Sequence, residues 1–451
     1  MNATIQGRGV RPARAVPNNV YFLLGLFLVL EYTRVPSIIP MLGVLRLQLF
    51  LLLLLVVSWW KFGDRADLRN PIVKFVLAFA LLCGLGILYT PNTRAAFNMM
   101  TNILTYAAAI ILPLLAFVKT AARLHWFLRL FALSNTFIAI WALTHGGTGP
   151  GGFISDENDC ALVLNVAMPF AATLAFWPGA TTRARLFWLG CLALILMGSV
   201  STMSRGGFLG IVACGAAGFW FSRNKLKIVG VLVVALIIGV PLAPHILPAK
   251  YISEIESIDD PNDGTRQNRI YFWKLGWIMF KQNPVLGVGA GNYPWTVADY
   301  ERRLPPEELF RGRYSGGRPA HSLYFTLLPE LGTVGIYIFG TLVWRVIQTG
   351  RHVRLVRVLD RARRPRSTAP PPRQPTPDEV ALDGVGRAIV AACVAYLGTG
   401  AFISVLYYPS FWHLAGIAAC TGAIHVSLLK AREAASPSEP VAATAPRGAA
   451  R

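Results

Sequence analysis

Four stretches of this chain hold side chains able to do chemistry. In S-T-M-S-R-G-G, residues 201–207, Arg205 stands where one apolar run gives way to another. A guanidinium there can offer its planar fork to a phosphate, and a helix starting at that point adds its positive end. Gly206 and Gly207 allow close backbone approach. The competing reading is an arginine that snorkels at an interface. In residues 264–293, Arg266 and Arg269 precede an aromatic-rich run from Ile270 to Phe280. That run is too short to cross a bilayer and carries Lys274 and Lys281, so it predicts an amphipathic helix lying in the interface. The G-V-G-A-G that leads to Asn292 and Tyr293 lacks the strand–helix setting and lysine of a nucleotide loop, and predicts a turn.

In R-P-A-H-S-L-Y-F-T-L-L-P-E-L-G, residues 318–332, His321 follows Arg318 where a polar stretch re-enters an apolar span. An imidazole there can act as general base toward a sugar hydroxyl, although a lone interfacial histidine is often structural. Glu330, deeper in the same span, must be paired or face a cavity. In G-F-I-S-D-E-N-D-C-A-L-V-L-N-V-A-M-P, residues 152–169, Asp156, Glu157, Asn158 and Asp159 form an acidic cluster. A helix cap with partial salt bridging is the plain account. The same groups can bind sugar hydroxyls, pair with the arginines or hold a divalent cation, but no ligand spacing supports a metal site.

These motifs must be positioned by membrane helices. Of 451 residues, 54% are hydrophobic and only 14% charged, against about a quarter charged in soluble domains. Apolar runs recur at 19–35, 37–60, 71–89, 97–118, 124–144, 160–178, 186–202, 206–222, 227–244, 321–346, 386–408 and 411–429. They are continuous rather than alternating, which predicts an all-α polytopic membrane protein with about twelve transmembrane helices rather than a barrel. The net charge of +21 sits mostly in short loops, which argues against nucleic acid as a partner. Arg8, Arg11 and Arg14 precede the first run without an evident cleavage site, as in a retained signal anchor. The six cysteines lie in or beside apolar spans with no paired spacing, and read as small buried hydrophobes.

Loop charge orients the helices. Lys61, Arg65 and Arg69, then Lys119 and Arg123, then Arg183 and Arg185, then Arg223, Lys225 and Lys227 alternate with loops poor in Lys and Arg. Both termini are therefore expected in the cytoplasm and the long polar stretch outside. The expected organisation is a bundle of nine helices over 1–244, an outer loop domain with interfacial helices over 245–320, and a helix over 321–346. A disordered cytoplasmic loop over 347–385, two helices over 386–429 and a disordered tail over 430–451 complete it.

With its motifs in this order, the chain resembles the O-antigen ligase and polymerase superfamily of bacterial inner-membrane glycan enzymes. The resemblance rests on S-R-G-G at 204–207, on N-R-I-Y-F-W with P-V-L-G-V-G-A-G-N-Y at 268–293, and on A-H-S-L-Y with P-E-L-G-T-V-G at 320–335. It implies a GT-C-like fold and an inverting, metal-independent glycosyltransferase needing no cofactor. The donor would be an undecaprenyl-pyrophosphate-linked glycan, and the acceptor lipid A-core or another glycan, at the periplasmic face among membrane lipids. It places the essential arginines on Arg205 and Arg269 and the histidine on His321. Arg266, Arg318, Glu330, Asp156, Asn158, Asp159 and Tyr293 are the accompanying substrate-binding candidates. A polymerase or a protein O-oligosaccharyltransferase shares these motifs. A lipid-linked glycan transporter is the non-enzyme alternative, which would show charges deep in several spans.

Overall fold

The structure, a computed structural model, describes residues 16–221, 225–226, 264–305, 309, 315–354 and 374–435. The predicted 227–244 span, the N-terminal arginines, residues 355–373 of the predicted cytoplasmic loop and most of the tail lie outside the described residues. Every described element is helical. The main ones are α1 (Asn18–Thr33), α2 (Leu47–Phe62), α3 (Pro71–Leu88), α4 (Thr93–Phe117), α5 (Ala121–Thr144), α6 (Glu157–Ala175) and α7 (Thr182–Ser201). After them come α8 (Arg205–Phe221), α9 (Gly264–Gln282), α10 (Tyr293–Glu301), α11 (Leu323–His352), α12 (Pro377–Gly400) and α13 (Pro409–Ala435). Eight of these, α3 to α7 and α11 to α13, are long and apolar enough to cross a membrane. The chain is a polytopic helical membrane protein. Two shorter apolar helices, α2 and α8, accompany them.

Local sequence explains the helix starts. Asn70 caps α3 ahead of Pro71, Thr181 caps α7, and Thr376 with Glu379 forms a capping box ahead of α12. That box starts α12 well before the predicted 386, because Glu379, Asp383 and Arg387 find partners that hydropathy does not register. Arg432 reaches Glu379 at 3.2 Å, and Arg387 pairs with Asp383. The helix then ends at Gly400, and residues 401–408 form a turn rather than the end of a span. The predicted 37–60 run also divides. Pro36 and Pro40 each open a short helix, Val35–Ile38 and Pro40–Val44, before α2 begins.

One large apolar core runs through the bundle. At its centre α12 packs against α6, α8, α11 and α13. Small residues allow this: a Cβ on Gly207 would lie 2.6 Å from Ala161, and one on Gly210 would collide with Thr399. A second, smaller core under α9 and α10 joins Phe272, Leu275, Met279, Tyr293 and Val297, with Phe325 of α11 packed against it. The turn at 34–46, the starts of α6, α8 and α11 and residues 401–408 gather at one end: Gly151 approaches Ser37, Gly147 approaches Ser201, Gly206 approaches Phe402 and Gly400 approaches Leu323, while the glycine-rich turn meets Thr90 between α3 and α4. The opposite end carries the Lys119–Asp67 pair and Arg354, which donates to the Phe221 carbonyl.

Candidate functional site

Two helix N-termini are locked side by side. Asp156 caps α6 by accepting from the Asn158 backbone N–H at 2.8 Å, and takes a second bond from the Asn158 side chain at 2.9 Å. Asn158 in turn accepts from the Ser204 hydroxyl at 2.7 Å. Ser204 Oγ also accepts from the Gly207 N–H at 2.9 Å, satisfying the first turn of α8 at which Arg205 stands. The acidic start of the 152–169 motif is thus a cap, as its residue types suggest, and a clamp on the Arg205 turn as well. Deeper, Asn165 ties four helices. It accepts from Ser199 at 2.7 Å and donates to the Gly207 carbonyl at 2.8 Å and to Thr399 at 3.1 Å. Buried polar groups of this kind hold a bundle in one register.

The aromatic helix α9 reaches the same place from outside. Trp273 donates to the Ala320 carbonyl at 3.0 Å and stacks on Phe325 with ring centroids 5.3 Å apart. Arg269 lies one turn earlier on the same face, and its guanidinium sits over the Phe402 ring at 5.8 Å. Phe402 also faces Trp273 at 6.1 Å and packs where a Cβ on Gly206 would lie 3.2 Å away. One aromatic side chain therefore joins the start of α8 to Arg269.

His321 follows Ala320 in the left-handed region, with φ of 49°, just before Ser322 caps α11. Its imidazole has an exposed face. The protein packed around it nevertheless lowers its pKa below the ordinary histidine range, Arg269 and Arg318 lower it further, and Asp156 opposes them. Charges from the α6 cap, α9 and the segment before α11 thus act at one ring. Arg266 is exposed on α9, and Arg318 is exposed beside His321.

Glu330 and Tyr293 stand behind this cluster. The Glu330 carboxylate accepts from the Gly291 and Tyr293 N–H groups at 2.8 and 3.0 Å and from the Tyr407 hydroxyl at 2.7 Å. Pro329 and Gly332, with φ of 58°, break α11 at this point. The released groups pair with the glycine-rich turn: Val288 and Gly289 donate to Pro329 and Glu330, while Thr333 and Val334 donate to Pro284 and Val285. The turn predicted for G-V-G-A-G is therefore a plug in a broken helix. A Cβ on Gly289 would lie 1.8 Å from Thr90. The Tyr293 hydroxyl donates to the Phe272 carbonyl at 2.7 Å. Both side chains also line a cavity of about 800 Å³ whose wall includes Pro319 and Ala320. Asp159 is buried on α6, with one carboxylate oxygen making no hydrogen bond among the described residues.

Sequence reasoning missed Phe402 and Tyr407, which lie in no motif, and gave no role to Asn165, which lies within the 152–169 segment. Trp273 stood in the aromatic run, but nothing marked it as the residue that docks α9. Among the described residues, no group of three or more His, Cys, Asp or Glu side chains could hold a metal ion.

Residues 189–340 match the family model described as O-Antigen ligase. Over that part of its length, the chain is similar to the O-antigen ligase family. No curated protein sequence matches the chain. The O-antigen ligase region contains Arg205, Arg269, Arg318, His321 and Glu330. It leaves out the 156–159 cluster and Phe402, which the fold brings to it from either side.

Proposed function

We propose that the protein is an inverting glycosyltransferase that moves a glycan from undecaprenyl pyrophosphate to a sugar hydroxyl, with ligation to lipid A-core in lipopolysaccharide assembly as the first reading. The observation that carries it is the gathering of Arg205, Arg269 and His321 at one end of the bundle, within the O-antigen ligase region. Breaking the anomeric C–O bond leaves charge on the pyrophosphate. Two guanidiniums can stabilise that charge without a metal. A neutral His321 takes the proton of the acceptor hydroxyl as its oxygen attacks the opposite face of the anomeric carbon. Arg266 and Arg318 widen the basic surface for the donor phosphates. Asp156, Asn158 and Asp159 supply acceptors for sugar hydroxyls, and Tyr293 and Glu330 shape the wall behind them. The site faces the periplasm, with both termini in the cytoplasm of a bacterial inner-membrane protein.

The test is reconstitution of purified protein with lipid-linked repeats, with and without lipid A-core. Glycan appearing on lipid A-core supports ligation. Chain growth without that acceptor makes the protein a polymerase, and glycan on protein makes it a protein O-glycosyltransferase. No transfer to any acceptor overturns the reading.

A further inference from the structure

Arg34 and Arg46 share the wall of the same cavity, at the end of the bundle where His321 stands. Neither belongs to the cluster of Arg205, Arg269 and His321, and neither lies within the O-antigen ligase region. Their placement is built rather than incidental. Both adopt left-handed backbone, with φ of 51° and 45°, uncommon for residues with a Cβ. Those bends flank the two short helices between α1 and α2 and turn both arginines onto one wall. The Arg34 guanidinium lies over Phe153 at 5.0 Å, in space left open by Gly152, where a Cβ would lie 2.0 Å from its Nη2. Its Nε is buried and makes no hydrogen bond among the described residues. Glu31 lies 3.9 Å from Arg34 and is also engaged by Gln48 at 2.7 Å. Arg46 makes no ion pair among the described residues and is exposed. The other carboxylate of the wall, Glu330, is taken up by Gly291, Tyr293 and Tyr407, so at the Arg34–Arg46 end two guanidiniums stand with one carboxylate, Glu31, which pairs with Arg34.

The segment between the arginines lends Leu42 and Gly43 to the cavity wall. Its other apolar side chains face outward: Met41 and Val44 are each 82% exposed, and Ile39 and Leu45 are exposed beside them. In a membrane protein such a ridge meets lipid. The deeper wall carries Phe27, Leu52 and Met99. We propose that this cavity is a second substrate site that takes a net-anionic, phosphate-bearing lipid headgroup between Arg34 and Arg46, entered from the bilayer. A lipid seated there turns its headgroup toward Pro319 and Ala320 and so toward His321. On the glycosyl-transfer reading above, on which this role rests, it is the acceptor lipid. The donor pyrophosphate then belongs to Arg205 and Arg269.

Delipidated full-length protein, titrated with phosphatidic acid or phosphatidylcholine and read by native mass spectrometry, tests the site without requiring turnover. Phosphatidic acid is expected to bind and phosphatidylcholine to bind much more weakly. Arg46→Glu, a change at an exposed position, should weaken phosphatidic acid binding by about tenfold or more. The pair Arg205→Gln and Arg269→Gln should leave that binding in place. Unchanged binding in Arg46→Glu overturns the proposal, as does its loss in the Arg205 and Arg269 pair. Displacement of the lipid by inorganic pyrophosphate would make this a free-anion site and overturn the lipid assignment. In the transfer assay, Arg46→Glu should raise KM for the acceptor more than it lowers kcat. Binding without any transfer would leave the lipid site standing and remove only its acceptor role.

Discussion

Replacing Arg205 or Arg269 with lysine keeps the charge but removes the planar fork that matches a phosphate. Each change should lower transfer by about 100- to 1,000-fold, the scale of losing a positioned donor at a charged transition state. His321→Ala should do the same, and near wild-type rates in these three variants would remove them from the reaction. The imidazole also makes a pH prediction. Burial, Arg269 and Arg318 hold its pKa below the usual histidine range, while Asp156 raises it. A base must be neutral, so activity should fall on the acid side as the ring protonates. Arg318→Gln removes a lowering charge and should move that limb to higher pH. Asp156→Asn removes the raising charge and should move it to lower pH. A pH–rate profile that moves in neither variant would exclude His321 as the titrating base. These residues were legible in the sequence because their types are costly at a membrane edge without a purpose. Phe402 was not, since an aromatic in an apolar chain is ordinary.

The glycine-rich turn and the broken helix α11 stand or fall together. Glu330→Ala would leave the Gly291 and Tyr293 N–H groups and the Tyr407 hydroxyl without their acceptor. At about 1–3 kcal/mol for each buried unpaired group, this should clearly lower the thermal midpoint in detergent. Glu330→Gln keeps an acceptor oxygen and should lose less. Gly289→Ala should also destabilise, because its Cβ meets Thr90 and its φ of 97° is strained for any side chain. Equal midpoints for Glu330→Ala and wild type would show that the plug is dispensable. The need of Glu330 for partners could be inferred from its burial in an apolar run, and the turn could be inferred from its glycines. That each is the other's partner depended on where Pro329 and Gly332 open the helix.

At the scale of the molecule, the prediction concerns sidedness. A cysteine placed at Arg318 should react with a membrane-impermeant maleimide added outside the inner membrane, and one at Arg183 should not. The reverse pattern would overturn a periplasmic site. The sequence alone determined the class, a helical membrane protein, and led to the expectation of a periplasmic end for Arg205, Arg269 and His321. Both follow from sums along the chain: apolar length decides what crosses, and loop charge decides orientation. Only the tertiary structure decided which of these groups meet. Asn158 with Ser204, Trp273 with Ala320 and Arg269 with Phe402 join elements far apart in the chain. A polar or aromatic side chain has many chemically acceptable partners in a sequence of this length. The helix register set by Gly207, Gly210 and Asn165 selects one, and packing geometry of that kind is not written in any local pattern of residues.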